Sequence, residues 1–170
     1  MTDGQATGRV RIRRVGAPGD LGWMIMAHGE QYDAEFGWDT SFEALVTRIV
    51  ADFAESDHDR EAGWIAELDG RRVGCVLCVA DPDDPGAAKL RILLVDPSAR
   101  GRGVGAGLVD TCVDFARRAG YSRVNLWTNN VLGAARRIYH SRGFILDTEE
   151  PHHSFGHDLI GESWTLALAS

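Results

Sequence analysis

Long apolar runs are missing from this chain of 170 residues, and no stretch approaches the ~20 residues that cross a bilayer. The opening segment, Met1-Thr-Asp-Gly-Gln-Ala-Thr-Gly8, has no apolar core of a secretory leader. It reads as a short disordered lead-in, residues 1–8, to a single domain over 9–170. Cysteine is scarce. Three residues, an odd number, speak against a disulfide framework and for a reducing, cytoplasmic compartment. Lysine is nearly absent, Lys89 being the only one. Positive charge is outnumbered, 18 Lys+Arg against 25 Asp+Glu. The net charge of −7 argues against bulk nucleic-acid binding and, with the absent apolar run, against a membrane partner. With 44% hydrophobic residues, the chain has enough apolar side chains for one sizeable core.

The charge is unevenly spread. Eight arginines (100, 102, 117, 118, 123, 136, 137 and 142) lie among only two acids, Asp110 and Asp114. That stretch carries +6 and the rest −13. Either the stretch binds a polyanion or its arginines are solvated helix faces. Around it the pattern alternates between strand and helix periods. Arg9–Val15 reads as a strand, and Pro18-Gly19-Asp20 as a turn with a helix cap. A helix over Trp23–Phe36 is expected to turn Ile25, Met26 and Gly29 to one side. A second, capped by Thr40 or Ser41, runs through Phe42, Leu45, Val46, Ile49, Val50 and Phe53. Glu55–Arg60 reads as a polar loop, and Gly63–Leu68 and Arg72–Val79 flank an Asp69-Gly70 hairpin turn. Strands follow at Lys89–Val95 and Arg123–Thr128, helices at Val104–Ala119 and Leu132–Ser141, and closing strands at Phe144–Leu146 and Ser163–Leu168. The order β-α-α-β-β-β-α-β-α-β-β implies an α/β domain around a mixed sheet.

Between a strand and a helix stands Leu93-Leu-Val-Asp-Pro-Ser-Ala-Arg100-Gly-Arg-Gly103-Val-Gly105-Ala-Gly107. Glycines let backbone approach a ligand closely, and the N–H groups at a helix start suit phosphate. Arg100 and Arg102 add charge. No Walker A run exists, and Gly101-Arg-Gly-Val-Gly105 lacks the dinucleotide spacing. The pattern Arg-x-x-Gly-x-Gly, with the Leu-Val-Asp-Pro before it, resembles motif A of the GNAT superfamily of N-acetyltransferases. Ala135-Arg-Arg-Ile-Tyr139-His-Ser-Arg-Gly143-Phe144 resembles the same family's Ala-x-x-x-Tyr-x-x-x-Gly-Phe signature. The stretches His28-Gly-Glu-Gln-Tyr32, Phe36-Gly-Trp-Asp39 and His152–Leu159 resemble acetyltransferase domains fused behind MarR-type winged-helix regulators. Here the winged helix has no room before residue 9.

The resemblance implies a GNAT-like fold, a mixed and mostly antiparallel central sheet with helices on both faces. It implies acetyl-CoA as co-substrate, lying where the strands ending at Val95 and near Thr128 splay. Leu93, Leu94 and Val95 would meet the pantetheine arm, with the Val95 N–H polarising the thioester carbonyl. Arg100, Gly101, Arg102, Gly103, Val104, Gly105 and Ala106 would hold the pyrophosphate. Tyr139 would protonate the departing thiolate. Arg137 and Arg142 either meet the 3′-phosphate or stay in solvent. Where many relatives carry Asn seven residues before the tyrosine, this chain has Leu132; Asn129 or Asn130 would substitute, or would cap the helix. A homodimer is also implied as an option.

The resemblance implies an amine acceptor, and a base must take its proton. Candidates are His28, Glu30, Tyr32 and Glu35 early in the chain, and His152, His153, His157 and Asp158 in a late loop. His28, Glu30, Tyr32, His153 and His157 are the residues expected at the acceptor. Glu30, Asp33, Glu35 and Asp39 either steer a cationic acceptor or form a solvated face. Cys75 and Cys78 stand three apart on a strand, hence on opposite faces, and read as core cysteines. No metal site is expected, since the late histidines lack a fourth ligand. The reading is therefore an acetyl-CoA-dependent N-acetyltransferase acting in a ternary complex. The alternative is an acyl-CoA sensor working through a partner regulator.

Overall fold

The computed structural model describes residues 8–56 and 59–169, so most of the lead-in and part of the 55–60 loop lie outside the described residues. The chain runs β1 (Val10–Arg14), α1 (Asp20–Phe36), α2 (Thr40–Glu55), β2 (Ala62–Leu68), β3 (Arg71–Ala80), β4 (Ala87–Val95), α3 (Val104–Arg118), β5 (Arg123–Asn129), α4 (Gly133–Ser141), β6 (Ile145–Ser154) and β7 (His157–Ala167). The element order matches the expected one. The strands form one seven-stranded sheet, β1-β2-β3-β4-β5-β7-β6. Every neighbouring pair is antiparallel except β4 and β5.

Two apolar layers sandwich that sheet. Val104, Leu108, Val109 and Cys112 of α3, with Tyr139 of α4, pack on one face beside Trp64, Val76, Cys78 and Val124. Met24 of α1 and Val46 and Val50 of α2 pack on the other with Ile65, Cys75 and Leu77. Cys75 and Cys78 thus enter opposite layers, and all three cysteines are free and buried. At the β2–β3 turn Asp69 and Gly70 both take positive φ, the geometry a two-residue hairpin favours.

Three local expectations are corrected. Helix α1 buries Met24 and His28, while Met26 is half exposed. Its inward stripe contains a histidine, so apolar spacing alone chose the wrong phase. Helix α2 is capped by Asp39, whose carboxylate accepts the Ser41 N–H at 3.0 Å, and Thr40 is its first residue. The late loop is a hairpin: β6 and β7 pair from Ile145 opposite Thr165 to Ser154 opposite His157. Its first strand, Ile145-Leu-Asp-Thr-Glu-Glu-Pro-His-His-Ser154, is an edge strand exposed to water. Polar residues and a proline are tolerated there and hide the strand period.

Asp20 is not a solvent-facing cap. It is fully buried, bonded to Arg13 at 2.8 and 2.9 Å and to Arg72 at 2.9 Å, and accepts the N–H groups of Gly16 and Ala17. One carboxylate therefore ties β1, β3 and the start of α1 together. The Arg13 guanidinium, chiefly, holds its pKa well below the usual carboxylate range.

Two irregularities shape the centre of the sheet. Strands β4 and β5 pair only over Ala87–Lys89 and Arg123–Asn125, then part. Beyond that point β4 carries a bulge, with Ile92 at φ 49° and the register against β3 shifted. The bulge reverses the alternation: Leu90 faces the α3 layer, but after it Leu94 faces the α1–α2 layer and Leu93 and Val95 turn to α3.

Candidate functional site

The parted strands open two connected chambers. The larger, about 670 Å³, is lined by Leu93, Leu94 and Val95 of β4, Arg100, Gly101 and Gly103–Ala106 of the following turn, Val131–Ala135, Arg137 and Ile138 around α4, and Gln31, Tyr32, Glu35 and Phe36 of α1. That volume is typical of a small-molecule site. The smaller, about 120 Å³, lies deeper, between α2 and the sheet. Tyr32, Leu93, Leu132 and Ala135 line both, so the two meet there.

The turn leading into α3 is built to meet an anion. Asp96 fixes its start by accepting the Ser98 N–H at 2.9 Å. Gly101 and Gly103 then take φ of 79° and 75°, a conformation that L side chains rarely adopt. A Cβ at either would meet nothing within 4 Å, so both face open space. Gly105 differs: a Cβ there would come within 2.7 Å of Ile138, so its smallness seats α3 against α4. Among the described residues no protein acceptor takes the N–H groups of Gly101 through Ala106. The first bonded amide is Gly107, to Gly103 O at 3.0 Å. Free amides and the positive end of the α3 dipole thus converge on the larger chamber.

At the chamber's other end, the Asp96 N–H bonds Val73 O across to β3. The N–H and C=O of Val95 therefore point the opposite way, into the gap left by β5. The Val95 carbonyl accepts Gln31 Nε2 at 3.0 Å. Sequence reading passed over Gln31; its only signal is its place one turn before Glu35 on the same helix face.

The basic stretch divides. Arg100 lines the chamber and pairs with Glu35 across it, and Arg137 also lines it. Arg102 is exposed and lines neither chamber, and Arg142 is bonded to Asp110 at 2.8 and 3.1 Å. Asn129 lines the deeper chamber, not the larger one, and its Oδ1 lies 2.8 Å from His152 Nε2. Asn130 accepts the Ile160 N–H at 3.1 Å. The β6–β7 hairpin thus engages the side-chain oxygen of each asparagine.

Aromatic residues wall the deeper chamber. Tyr32, Trp38, Phe42, Trp127, Tyr139 and Phe155 line it with Leu45 and Ile49 of α2. The β6–β7 turn closes it: Phe155 packs on Trp38 and Phe42 at centroid distances of 4.9 and 5.0 Å, and its carbonyl accepts the Asp39 N–H. Tyr139 is 4% exposed, and burial, with Tyr32 nearby, lifts its hydroxyl pKa well above the ordinary value. Tyr32 is raised in the same way, which makes it a donor and a poor base.

The expected acceptor group does not assemble as a whole. Tyr32 lines both chambers. His28 is sealed in the α1–α2 layer, its Nδ1 donating to Met24 O at 2.7 Å and its Nε2 without a partner. Desolvation pushes its pKa down to about 4, so it stays neutral. Glu30 is exposed outside both chambers. His153 lines a third, more open cavity of about 630 Å³ that shares Leu45, Trp127 and Phe155 with the deeper chamber, and His157 Nε2 lies 3.1 Å from Gly37 O, tying the hairpin to α1. Of the four early acids Glu35 lines the larger chamber, paired with Arg100, and no carboxylate lines the deeper one. Two cations do, Lys89 and Arg91. Among the described residues no group of three or more metal-ligating side chains occurs, and no helix is long and apolar enough to cross a membrane.

Residues 23–144 match the family model described as acetyltransferase (GNAT) family. Among curated proteins, an uncharacterised N-acetyltransferase of Schizosaccharomyces pombe is 30% identical over 145 residues, 85% of this chain and 86% of that one. Human N-acetyltransferase 8B is 40% identical over 85 residues, and the N-acetylaspartate synthetase of Danio rerio 38% over 89. Those two matches cover 48% and 51% of this chain but only 37% and 31% of the relatives' own length. A putative acetyltransferase from Salmonella typhimurium, solved with acetyl-CoA, superposes with a TM-score of 0.75 at 18% identity, over 95% of each chain. An N-acetyltransferase from Staphylococcus aureus reaches 0.78 at 17%, over 94% of this chain and 98% of that one. At such identities the likeness establishes the fold, a mixed sheet with helices on both faces.

Proposed function

The chain belongs to the acetyltransferase (GNAT) family of acetyl-CoA-dependent acyltransferases, and on that premise we propose that it moves the acetyl group of acetyl-CoA to an amine by direct attack, with both substrates held together. The observation that carries the proposal is the run of free amides from Gly101 to Ala106, opening onto a chamber continuous with the one that holds Tyr139. Acetyl-CoA supplies the activated acyl group. The six amides and the α3 dipole hold its diphosphate, and Arg137 adds positive charge in the same chamber. The Val95 N–H faces the gap, where it stabilises charge on the acyl oxygen during attack. Tyr139 keeps its proton at neutral pH and gives it to the departing sulfur.

The narrower resemblance, to acetyltransferase domains behind MarR-type regulators, falls on His28–Tyr32, Phe36–Asp39 and His152–Leu159. Tyr32, Trp38 and Phe155 from these stretches meet at the wall of the deeper chamber. We therefore place that resemblance in how the acceptor is enclosed.

An amine panel followed by thiol release tests transfer. Acetyl-CoA-dependent release with at least one acceptor is expected; binding of acetyl-CoA without release from any amine would favour the sensor reading. Gly103→Val tests the cradle. It puts a β-branched residue at φ 75° and fills the open space beside the amides. A dissociation constant for acetyl-CoA weaker by roughly tenfold or more is expected, with near-native circular dichroism. Unchanged affinity in the folded variant would remove the turn from the site.

A further inference from the structure

We propose that the acceptor carries a carboxylate: it is a free amino acid with a small or medium apolar side chain, its acid group held by Arg91 and Lys89 in the deeper chamber. This rests on the acetyltransferase reading above and names the substrate class of that site.

Arg91 is half-buried on β4, and burial pulls its pKa below the ordinary value. Asp52 and Asp81 act on it only through space, and neither forms an ion pair with it among the described residues. Lys89, the chain's single lysine, likewise has no ion pair among them. Lys89 also borders a second cavity lined by Asp81, Asp84 and Asp147, where Asp84 pairs with Arg123 and Asp81 accepts from Asn125 at 3.2 Å. Two cations thus line a chamber whose other walls are mostly aromatic and aliphatic, with no carboxylate among them. A half-buried cation without a counter-charge is costly, and an anionic ligand removes that cost.

The same field decides the state of the amine. Attack needs the neutral form, yet no carboxylate or histidine lines the chamber to accept its proton. Nearby positive charge disfavours the ammonium, so one proton is shed to solvent before attack, and a second leaves the nitrogen as the C–N bond forms and replaces the one Tyr139 gives to the sulfur. A simple amine would enter as a cation and be repelled. An amino acid gains an ion pair through its acid and is helped to lose a proton from its nitrogen. The geometry agrees. Arg91 precedes Leu93 by two residues on β4, and Leu93 stands where the chambers meet. With its acid group at Arg91, the acceptor would turn its nitrogen toward that junction. Trp38, Phe42 and Phe155 are left for an apolar side chain, and about 120 Å³ limits its size.

The test compares free valine, leucine and methionine with their primary amides, as acceptors for the full chain and for Arg91→Met and Arg91→Lys. The expected result is a kcat/KM for the free acids at least about tenfold above that for the amides. Arg91→Met raises KM for the acids about tenfold or more and erases the preference, with acetyl-CoA affinity unchanged, and Arg91→Lys restores part of it. Amides used as readily as acids would overturn the inference, as would no turnover of any free amino acid by a chain that binds acetyl-CoA. So would Arg91→Met impairing acids and amides equally. Should Arg91→Met not fold, the wild-type preference decides alone. Failure to bind acetyl-CoA at all is the distinct result that overturns the acetyltransferase reading, and this inference with it.

Discussion

Tyr139→Phe is expected to lower kcat by about 100-fold while leaving the dissociation constant for acetyl-CoA nearly unchanged. The asymmetry follows from where the ring sits. Tyr139 lines the deeper chamber, whereas the diphosphate cradle and the Val95 amide belong to the larger one. Phenylalanine keeps the contacts with Phe144 and Trp164, at centroid distances of 5.6 and 6.3 Å, so the fold is retained. Only the hydroxyl is lost, and with it the proton for the departing thiolate. Because burial raises the pKa of that hydroxyl, deprotonation of Tyr139 should not limit kcat up to about pH 10, the ordinary tyrosine value. Stopped-flow thiol release and calorimetric titration give the two quantities. Equal losses in rate and affinity would make Tyr139 a packing residue.

Asp20→Ala is expected to cost roughly 3 kcal/mol of folding stability, because two arginines and two backbone amides converge on one buried carboxylate, and its loss leaves Arg13 bonded to Glu67 and Arg72 to the Pro18 carbonyl. Asp20→Asn keeps the volume but accepts through a single oxygen, and should lie between the two. The pH dependence has a fixed sign. The folded-state pKa of Asp20 is lowered, so its stabilisation is complete above the ordinary value near 4 and is lost as pH falls toward the folded value. His28, held down to about 4, adds an earlier loss that begins below its ordinary value of about 6.5. Denaturant melts at pH 7 and pH 3 should therefore show the gap between wild type and Asp20→Asn narrowing in acid. A gap constant with pH would mean that Asp20 acts through packing alone.

Much of the architecture was legible from short-range pattern. The Asp69-Gly70 turn, the amphipathic stripes of α2 and α3 and the glycines at 101 and 103 are local signals, and each stands where the residues place it. The cofactor side of the site was legible for the same reason, since one turn carries most of it. The acceptor side was not. Its walls come from α1, α2, β4, β5, α4 and the β6–β7 turn, and no local pattern announces that Phe155 will close over Trp38 and Phe42. His28 drew attention as a titratable group, yet only the packing of α1 shows that it is sealed away. Lys89 and Arg91 carry no motif beyond their place in a strand, and the bulge at Ile92, invisible in the sequence, sets which face each later residue takes. Asn129 and Asn130 lie near the position where many relatives carry asparagine, and the hairpin engages the side-chain oxygen of each.

A crystal structure of the chain with acetyl-CoA tests the central claim most directly. The account predicts diphosphate oxygens within hydrogen-bond distance of the amides between Gly101 and Ala106, and the thioester between the Val95 N–H and the Tyr139 hydroxyl. Coenzyme A bound elsewhere, with those amides facing only water, would contradict it.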